Sequence, residues 1–280
     1  MKETILSVGI DIGTSTTQLI FSKLTIENEA SSYVVPRINI VDKEVTYRSK
    51  IYFTPLLSQT EIDAEKVKKI IEAEYKAAGM KPEDLQTGAV IITGETARKH
   101  NANTVLASLS SMAGDFVVAT AGPDLESVLS AKGAGADAFS EEHRQAVANI
   151  DIGGGTSNIA LFQKGNLKGT SCLDIGGRLI KIENGRISYI FPKIQKLAEA
   201  HGIHIAVGDR AEETVLYKIC EYMADQLAMA IHAREADSLH AGLYTNDGKP
   251  LTSEPKIDAI TYSGGVASCY YNGEPANVFE

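Results

Sequence analysis

Two short segments of this chain combine an aspartate with small residues in a way that suits phosphate binding. In one of them Asp151 ends an apolar stretch, and three glycines and a threonine follow shortly after it. Glycine has no Cβ, so consecutive backbone N–H groups can approach a bulky anion closely, and a neighbouring carboxylate can hold a divalent ion through water. We predict Asp151 as a catalytic and metal-binding carboxylate. The predicted ligands of nucleotide phosphates are Gly153, Gly154, Gly155 and Thr156.

A near copy of this segment lies close to the N-terminus, where Asp11 precedes a glycine and three hydroxyl residues. One Gly-rich turn after a strand is weak evidence, because most such turns are ordinary β-turns. Two copies at a domain-sized separation imply duplicated halves that each offer a loop to one ligand. We predict Asp11 as the second catalytic and metal-binding carboxylate. The matching phosphate ligands are Gly13, Thr14, Ser15 and Thr16.

The paired Asp-Ile-Gly segments resemble the phosphate-one and phosphate-two motifs of the actin, sugar-kinase and heat-shock-chaperone ATPase superfamily. A predicted strand that leads into residues 263–267, Ser-Gly-Gly-Val-Ala, resembles the adenosine motif of the same superfamily. The resemblance covers almost the whole chain. It implies an α/β chain with the two-domain ribonuclease-H-like actin/chaperone ATPase fold, with ATP and Mg²⁺ bound in a cleft that both phosphate loops face. Gly264 and Gly265 would bind the nucleoside.

Two further segments resemble the family of ethanolamine ammonia-lyase reactivating proteins, EutA. They are residues 91–99, Ile-Ile-Thr-Gly-Glu-Thr-Ala-Arg-Lys, and residues 174–178, Asp-Ile-Gly-Gly-Arg. This resemblance implies an ATP-dependent, chaperone-like reactivase. Its partner would be the adenosylcobalamin-dependent ethanolamine ammonia-lyase, from which it promotes release of damaged cobalamin. It also implies a cytoplasmic protein associated with a bacterial microcompartment, and a homodimer is compatible with it.

The superfamily resemblance also suggests a glutamate that orients the attacking water. In heat-shock-type ATPases this glutamate precedes a helix, a short spacer and the second phosphate loop, and Glu126 stands in the corresponding place here. The Glu-Pro order of those ATPases is absent around Glu126. Glu95 therefore remains an alternative.

Two other functions of the same superfamily remain open. A small-molecule kinase would need an acceptor pocket with a base in the first domain, and no acid there is placed as sugar kinases place theirs. An actin-like assembly ATPase would be detected by light scattering with and without ATP. Residues 94–99 and 174–178 favour the reactivase.

The composition argues against several other classes of protein. A net charge of −9 and a pI near 5.3 do not suit a nucleic-acid partner, which needs clustered Lys and Arg. There is no GxxxxGK[ST] motif, and no apolar run approaches the ~20 residues that a membrane-spanning helix needs. The three cysteines form no CxxC pair, which favours a reducing compartment, and His201 and His204 lack nearby residues that would complete a metal site.

The elements that must position these residues follow from hydrophobic periodicity and turn residues. We predict domains at residues 1–145 and 146–280, joined at the polar stretch 141–147. Predicted strands in the first domain cover residues 5–12, 16–24, 33–35, 45–53, 88–93 and 116–120, and its helices cover residues 64–78, 103–113 and 125–132. In the second domain, strands beyond the Asp151 hairpin are predicted at residues 170–174, 179–183, 186–190 and 257–262, and helices at residues 193–201 and 211–234.

The superfamily resemblance implies further helices after the adenosine motif. The chain ends at Glu280, soon after Ala267. We therefore expect an incomplete second domain and weak binding of nucleotide.

Overall fold

The computed structural model divides the chain into two compact units, Met1–Ala121 and Gly122–Glu280. The structure describes residues 2–13, 16–28, 38–58, 61–93, 101–110, 116–120, 122–246, 248–253 and 255–272. The strand predicted at residues 33–35 lies outside these ranges.

The first unit is a mixed sheet covered by helices. Its strands are β1 (Lys2–Ile12), β2 (Thr16–Asn28), β3 (Ile38–Arg48), β4 (Tyr52–Phe53), β5 (Leu56–Ser58), β6 (Glu61–Ile62), β7 (Thr87–Ile92) and β8 (Phe116–Thr120). Its helices are α1 (Ala64–Ala78), the short 3-10 helix Pro82–Asp84 and α2 (Ala102–Ser110).

The main sheet of this unit has the order β3-β2-β1-β7-β8, and β4 also pairs with β2. β1 runs antiparallel to β2 and parallel to β7. Val8, Ile10 and Ile12 alternate along β1 and are buried in the core, because successive strand residues face opposite sides of a sheet. Asp11 therefore lies on the other face of the strand and is exposed.

Helix α1 begins and ends where the sequence predicts. Asp63 caps its start, since its side chain accepts a hydrogen bond from the Lys66 N–H at 3.0 Å. Gly79 ends it with φ +67°, a conformation that glycine adopts without a Cβ clash. The predicted helix at 103–113 is confirmed as α2 up to Ser110, and residues 111–113 lie outside the described ranges.

The second unit has a smaller sheet and more helices. Its strands are β9 (Ala146–Ile152), β10 (Ser157–Gln163), β11 (Asn166–Leu173), β12 (Ile180–Glu183), β13 (Arg186–Ile190) and β14 (Ala259–Ser263). Its helices are α3 (Pro123–Gly133), α4 (Ala136–His143), α5 (Pro192–Ala200), α6 (Glu213–Ala230), the 3-10 helix His240–Leu243 and α7 (Gly264–Asn272).

The sheet of the second unit repeats the central part of the first. Its order is β11-β10-β9-β14, with β9 antiparallel to β10 and parallel to β14. β3-β2-β1-β7 has the same order and the same strand directions. The duplication predicted from the two Asp-Ile-Gly segments is therefore present in the fold.

The division between the units falls earlier than the boundary predicted between residues 145 and 146. Helices α3 and α4 pack on β9, β10 and β11, so they belong to the second unit. The polar stretch that suggested a linker consists of the exposed last turn of α4, its C-cap Arg144 and the start of β9. Helix α4 was missed because its short sequence carries a weak apolar pattern.

Other elements of the second unit agree with the sequence more closely. Asn184 and Gly185 both have positive φ angles between β12 and β13, as a two-residue turn of the primed type requires. Helix α6 lies inside the predicted 211–234, and α7 was not predicted. Among the described residues, no helix is both long and apolar enough to cross a membrane.

Candidate functional site

The first glycine loop follows β1 directly and is held by hydrogen bonds at its described positions. The Gly13 N–H donates to the Thr16 carbonyl at 2.8 Å, which closes the turn. The Thr54 hydroxyl donates to the Gly13 carbonyl at 2.8 Å. A Cβ on Gly13 would lie 3.1 Å from the Thr16 carbonyl oxygen, so this position favours glycine. Thr14 and Ser15 lie outside the described residues.

Asp11, the predicted carboxylate of this loop, accepts a hydrogen bond from the Thr93 hydroxyl at 3.3 Å. Thr93 follows the end of β7, and its N–H donates to the Ile12 carbonyl at 3.1 Å. The parallel register that pairs Ile12 with Ile92 brings this hydroxyl to the carboxylate. Asp11 thus stands at the carboxyl end of neighbouring parallel strands, where open α/β sheets bind ligands.

The second glycine loop has the same hairpin geometry as the first. Ile152 pairs with Ser157, just as Ile12 pairs with Thr17, and the Gly153 N–H donates to the Thr156 carbonyl at 3.0 Å. Within the described part of the chain, the N–H groups of residues 154–156 donate no hydrogen bond to the protein. Three successive backbone donors are thus left for a ligand.

Asp151 is more enclosed than Asp11. Its Oδ2 accepts a hydrogen bond from the Ser263 hydroxyl at 2.7 Å, and the Ser130 side chain of α3 lies near enough to lower its pKa. Burial raises the pKa of Asp151, and the hydroxyls of Ser263 and Ser130 oppose that shift only in part. A nearby cation would stabilise the charged form of a carboxylate that has lost solvent in this way.

Residues 175–178 brace the second loop from outside. The N–H groups of Gly177 and Arg178 donate to the carbonyls of Gly153 and Gly154, at 2.9 and 2.8 Å. Gly176 packs so closely that a Cβ would lie 2.6 Å from the Gly154 carbonyl carbon and oxygen. With the loop carbonyls occupied by the brace, the loop N–H groups remain for a ligand.

The predicted adenosine motif lies at the start of α7. Gly264 has φ +88°, and a Cβ there would lie 2.5 Å from the Ile152 carbonyl oxygen and 2.9 Å from Asp151 Oδ1. Gly265 has open space around it, because a Cβ there would meet no atom within 4 Å, and Ala267 is buried. These residues therefore adjoin the second glycine loop.

Of the two candidate glutamates, Glu126 lies among the described residues. Glu126 is half-buried in the first turn of α3. Ser130, four residues later, lies on the same helix face and near Asp151, so Glu126 lies one helical turn away from Ser130. Glu95, its rival, lies outside the described residues.

Four hydroxyl residues at these loops were not among the predicted site residues: Thr54, Thr93, Ser130 and Ser263. A signal was present for two of them, since Thr93 is the last residue of a predicted strand, Ser263 directly follows another, and a glycine comes next in both cases. Thr93 and Ser263 occupy different strand positions relative to the aspartates that they contact. Ser263 pairs with Asp151 itself, whereas Thr93 lies two residues beyond the strand partner of Asp11, Ile91.

Known structures with a similar fold support the architecture. A crystal structure of the Ppx/GppA family member of Aquifex aeolicus superposes with a TM-score of 0.52 at 15% sequence identity, covering 98% of this chain and 72% of that one. At this identity the similarity concerns the fold alone. With the repeated sheet, it confirms the actin-like ATPase fold expected from the sequence motifs.

Two curated proteins are much more similar in sequence. The ethanolamine ammonia-lyase reactivases EutA of Salmonella typhimurium and Escherichia coli are each 41% identical to this chain, over 276 and 279 residues. The matches cover 98% of this chain and 58% of each relative. The sequence profile of the family described as "Ethanolamine utilisation protein EutA" matches residues 3–280. This chain therefore belongs to the EutA family.

Proposed function

We propose that this chain binds Mg·ATP through its two Asp-Ile-Gly loops and hydrolyses it to drive reactivation of ethanolamine ammonia-lyase. The observation that carries the proposal is the duplicated loop itself. In each unit a strand delivers an aspartate to a glycine turn, and a hydroxyl from the neighbouring parallel strand donates to that aspartate.

The residues of the second loop fit a nucleotide phosphate. The backbone donors of residues 154–156 are unused within the described part of the protein, and Gly153 and Gly176 keep the space around them free of Cβ atoms. Such a run of N–H groups supplies hydrogen bonds to phosphate oxygens without a positively charged side chain. The bond from Gly13 to Thr16 closes the first loop as the bond from Gly153 to Thr156 closes the second, and we propose that the first loop also binds phosphate.

Asp11 and Asp151 would hold Mg²⁺ through water, since oxygen ligands and retained waters suit this ion. When bound, the ion would neutralise phosphate charge. The pKa of Asp151 is raised because its carboxylate is buried, and an adjacent cation would stabilise the charged form. The hydroxyls of Ser263 and Thr93 orient the two carboxylates.

Glu126 would orient the attacking water by accepting its hydrogen bond. Phosphoryl transfer to water asks little covalent chemistry of a protein beyond positioning the nucleophile and stabilising charge. Glu126 stands on the face of α3 that also presents Ser130 to Asp151. This placement supports Glu126 for the role, and Glu95 remains its alternative.

The proposed partner follows from the relatives. The curated proteins at 41% identity are named ethanolamine ammonia-lyase reactivases, and the chain spans 58% of their length. We propose the same lyase as the partner here, with ATP turnover coupled to release of damaged cobalamin from it.

Equilibrium dialysis with Mg·ATP tests the nucleotide part of this proposal. Asp11→Asn and Asp151→Asn should each weaken binding by about tenfold or more, the loss expected for a charge-assisted contact. Asp42→Asn, on the exposed part of β3, is the matched control and should bind as the wild type does. Equal binding by the wild type and both loop variants would remove the assignment of the loops.

A further inference from the structure

The segment that braces the second loop begins at an ion pair that the proposed nucleotide chemistry does not use. Lys193, in the first turn of α5, places its Nζ 2.5 Å from Asp174 Oδ2. The same Nζ donates to the Tyr244 carbonyl at 2.8 Å. Both charged side chains are largely shielded, at 32% and 15% exposure.

Asp174 is held on two sides. Its N–H donates to the Leu243 carbonyl at 2.8 Å, and its carboxylate accepts from Lys193. Lys193 thus ties the start of residues 174–178 both to α5 and to the chain that follows the 3-10 helix His240–Leu243. A partly shielded pair with additional hydrogen bonds holds its geometry better than an exposed pair does.

Residues 175–178, which we call the brace, connect Asp174 directly to the second glycine loop. The Ser157 hydroxyl donates to the Ile175 carbonyl at 2.7 Å, and the next contacts are the N–H groups of Gly177 and Arg178 on the Gly153 and Gly154 carbonyls. Gly176 packs tightly against the loop, because a Cβ at this position would lie 2.6 Å from the Gly154 backbone. A shift of Asp174 would therefore shift the loop.

We propose that Lys193 is a positioning residue for nucleotide binding: through Asp174 it holds residues 175–178 against the second glycine loop, so that the N–H groups of residues 154–156 stay turned toward the phosphates. This inference rests on the proposed function for its nucleotide part. The bracing contacts themselves involve only residues of this chain. Lys193 does not contact the loop, so its effect is on affinity and not on the chemical step.

Helix α5 offers a matched control. Lys196 lies about one turn after Lys193, and both line a cavity of about 300 Å³ with Leu197, Ser238 and Leu239. Lys196 is exposed and forms no ion pair among the described residues. Lys193→Met and Lys196→Met therefore remove the same charge from the same helix, but only the first breaks the contact with Asp174.

The test measures amide hydrogen exchange in the nucleotide-free protein and then the affinity for a fluorescent ATP analogue. In Lys193→Met the amides of Gly177 and Arg178 should exchange about tenfold faster or more, because the bonds they make to the loop open more often. Affinity for the analogue should fall about tenfold, with turnover at saturation unchanged. Lys193→Arg should restore both, and Lys196→Met should change neither.

Other outcomes distinguish the brace from the proposed function. Wild-type exchange at Gly177 and Arg178 in a folded Lys193→Met protein would overturn the inference, as would faster exchange with unchanged affinity in a protein that binds nucleotide. If Lys193→Met does not fold, Asp174→Asn breaks the same ion pair and should give the same faster exchange. Faster exchange in a protein whose wild type binds no nucleotide would support the brace and contradict the proposed function.

Discussion

At the scale of single residues, each loop aspartate accepts a hydrogen bond from a hydroxyl that is distant in the sequence. Thr93 donates to Asp11, and Ser263 donates to Asp151. The aspartates were predictable from local patterns, because each follows an apolar strand and precedes glycine. Their partners were not, since the pairing depends on the parallel register of β7 beside β1 and of β14 beside β9.

Glu126 provides a prediction at this scale. Glu126→Gln keeps the shape of the side chain but weakens its capacity to accept a hydrogen bond from the attacking water. ATP turnover should fall by about 100-fold or more, as for the loss of a general base, while nucleotide affinity stays close to the wild-type value. Single-turnover hydrolysis and a binding titration measure the two quantities separately.

Glu142→Gln, on the exposed side of α4, is the control and should leave turnover unchanged. Normal turnover in Glu126→Gln would transfer the role to Glu95 or to another group.

At the scale of elements, the best predictions were those in which local signals agree. Helix α1 has an apolar stripe, a capping aspartate and a terminal glycine, and its bounds match the prediction. Helix α4 has only a weak apolar pattern, so its charged surface resembled a linker. The brace by residues 175–178 depends on close backbone packing, for which a glycine pair in the sequence is only a hint.

Gly176→Ala tests the contact between the brace and the second loop. The added methyl group would press on the Gly154 backbone, and backbone cannot move aside as a flexible side chain can. The free energy of unfolding should fall by about 1–3 kcal/mol, the usual cost of overpacking, and nucleotide affinity should fall with it. Urea denaturation and equilibrium dialysis with Mg·ATP check the two effects.

Gly133→Ala, where a Cβ meets nothing within 4 Å at the end of α3, is the matched control and should not lower stability. Equal stability of the two variants would show that the brace tolerates a side chain.

Helix α1 is also tied to β3 and β4 by a buried carboxylate. Glu74 accepts hydrogen bonds from the hydroxyl of Tyr47, at 2.6 Å, and from that of Tyr52. Tyr52→Phe leaves the carboxylate with one donor fewer, so the free energy of unfolding at pH 7 should fall by about 1 kcal/mol. Tyr217→Phe, on the exposed face of α6, should change it little.

The pH dependence of stability provides a second readout of this contact. The hydrogen bond with Glu74, followed by burial, raises the pKa of Tyr52 to about 12. The unfolded state loses its phenolic proton first, near pH 10, so the stability contributed by Tyr52 is complete below that pH and is lost as pH rises toward 12. The wild type should lose more stability than Tyr52→Phe in this window, and parallel pH profiles would contradict the assignment.

At the scale of the whole molecule, the repeated sheet is the feature that the sequence predicted best. Both copies of the Asp-Ile-Gly hairpin are present, and β3-β2-β1-β7 has the same order and directions as β11-β10-β9-β14. The division between the units was placed too late, because α3 and α4 pack on the second sheet. Spacing in the sequence shows that a unit is repeated, whereas only tertiary packing shows which flanking helices belong to it.

We propose that this EutA-family chain turns over nucleotide and that the lyase changes the rate. The most direct measurement is the rate of ADP release with and without inactivated ethanolamine ammonia-lyase, for the wild type and for Asp151→Asn. We expect the lyase to stimulate ADP release by the wild type and Asp151→Asn to abolish both the basal and the stimulated rates. A rate that is indifferent to the lyase, that persists in Asp151→Asn, or that requires a small hydroxyl acceptor would contradict the proposal.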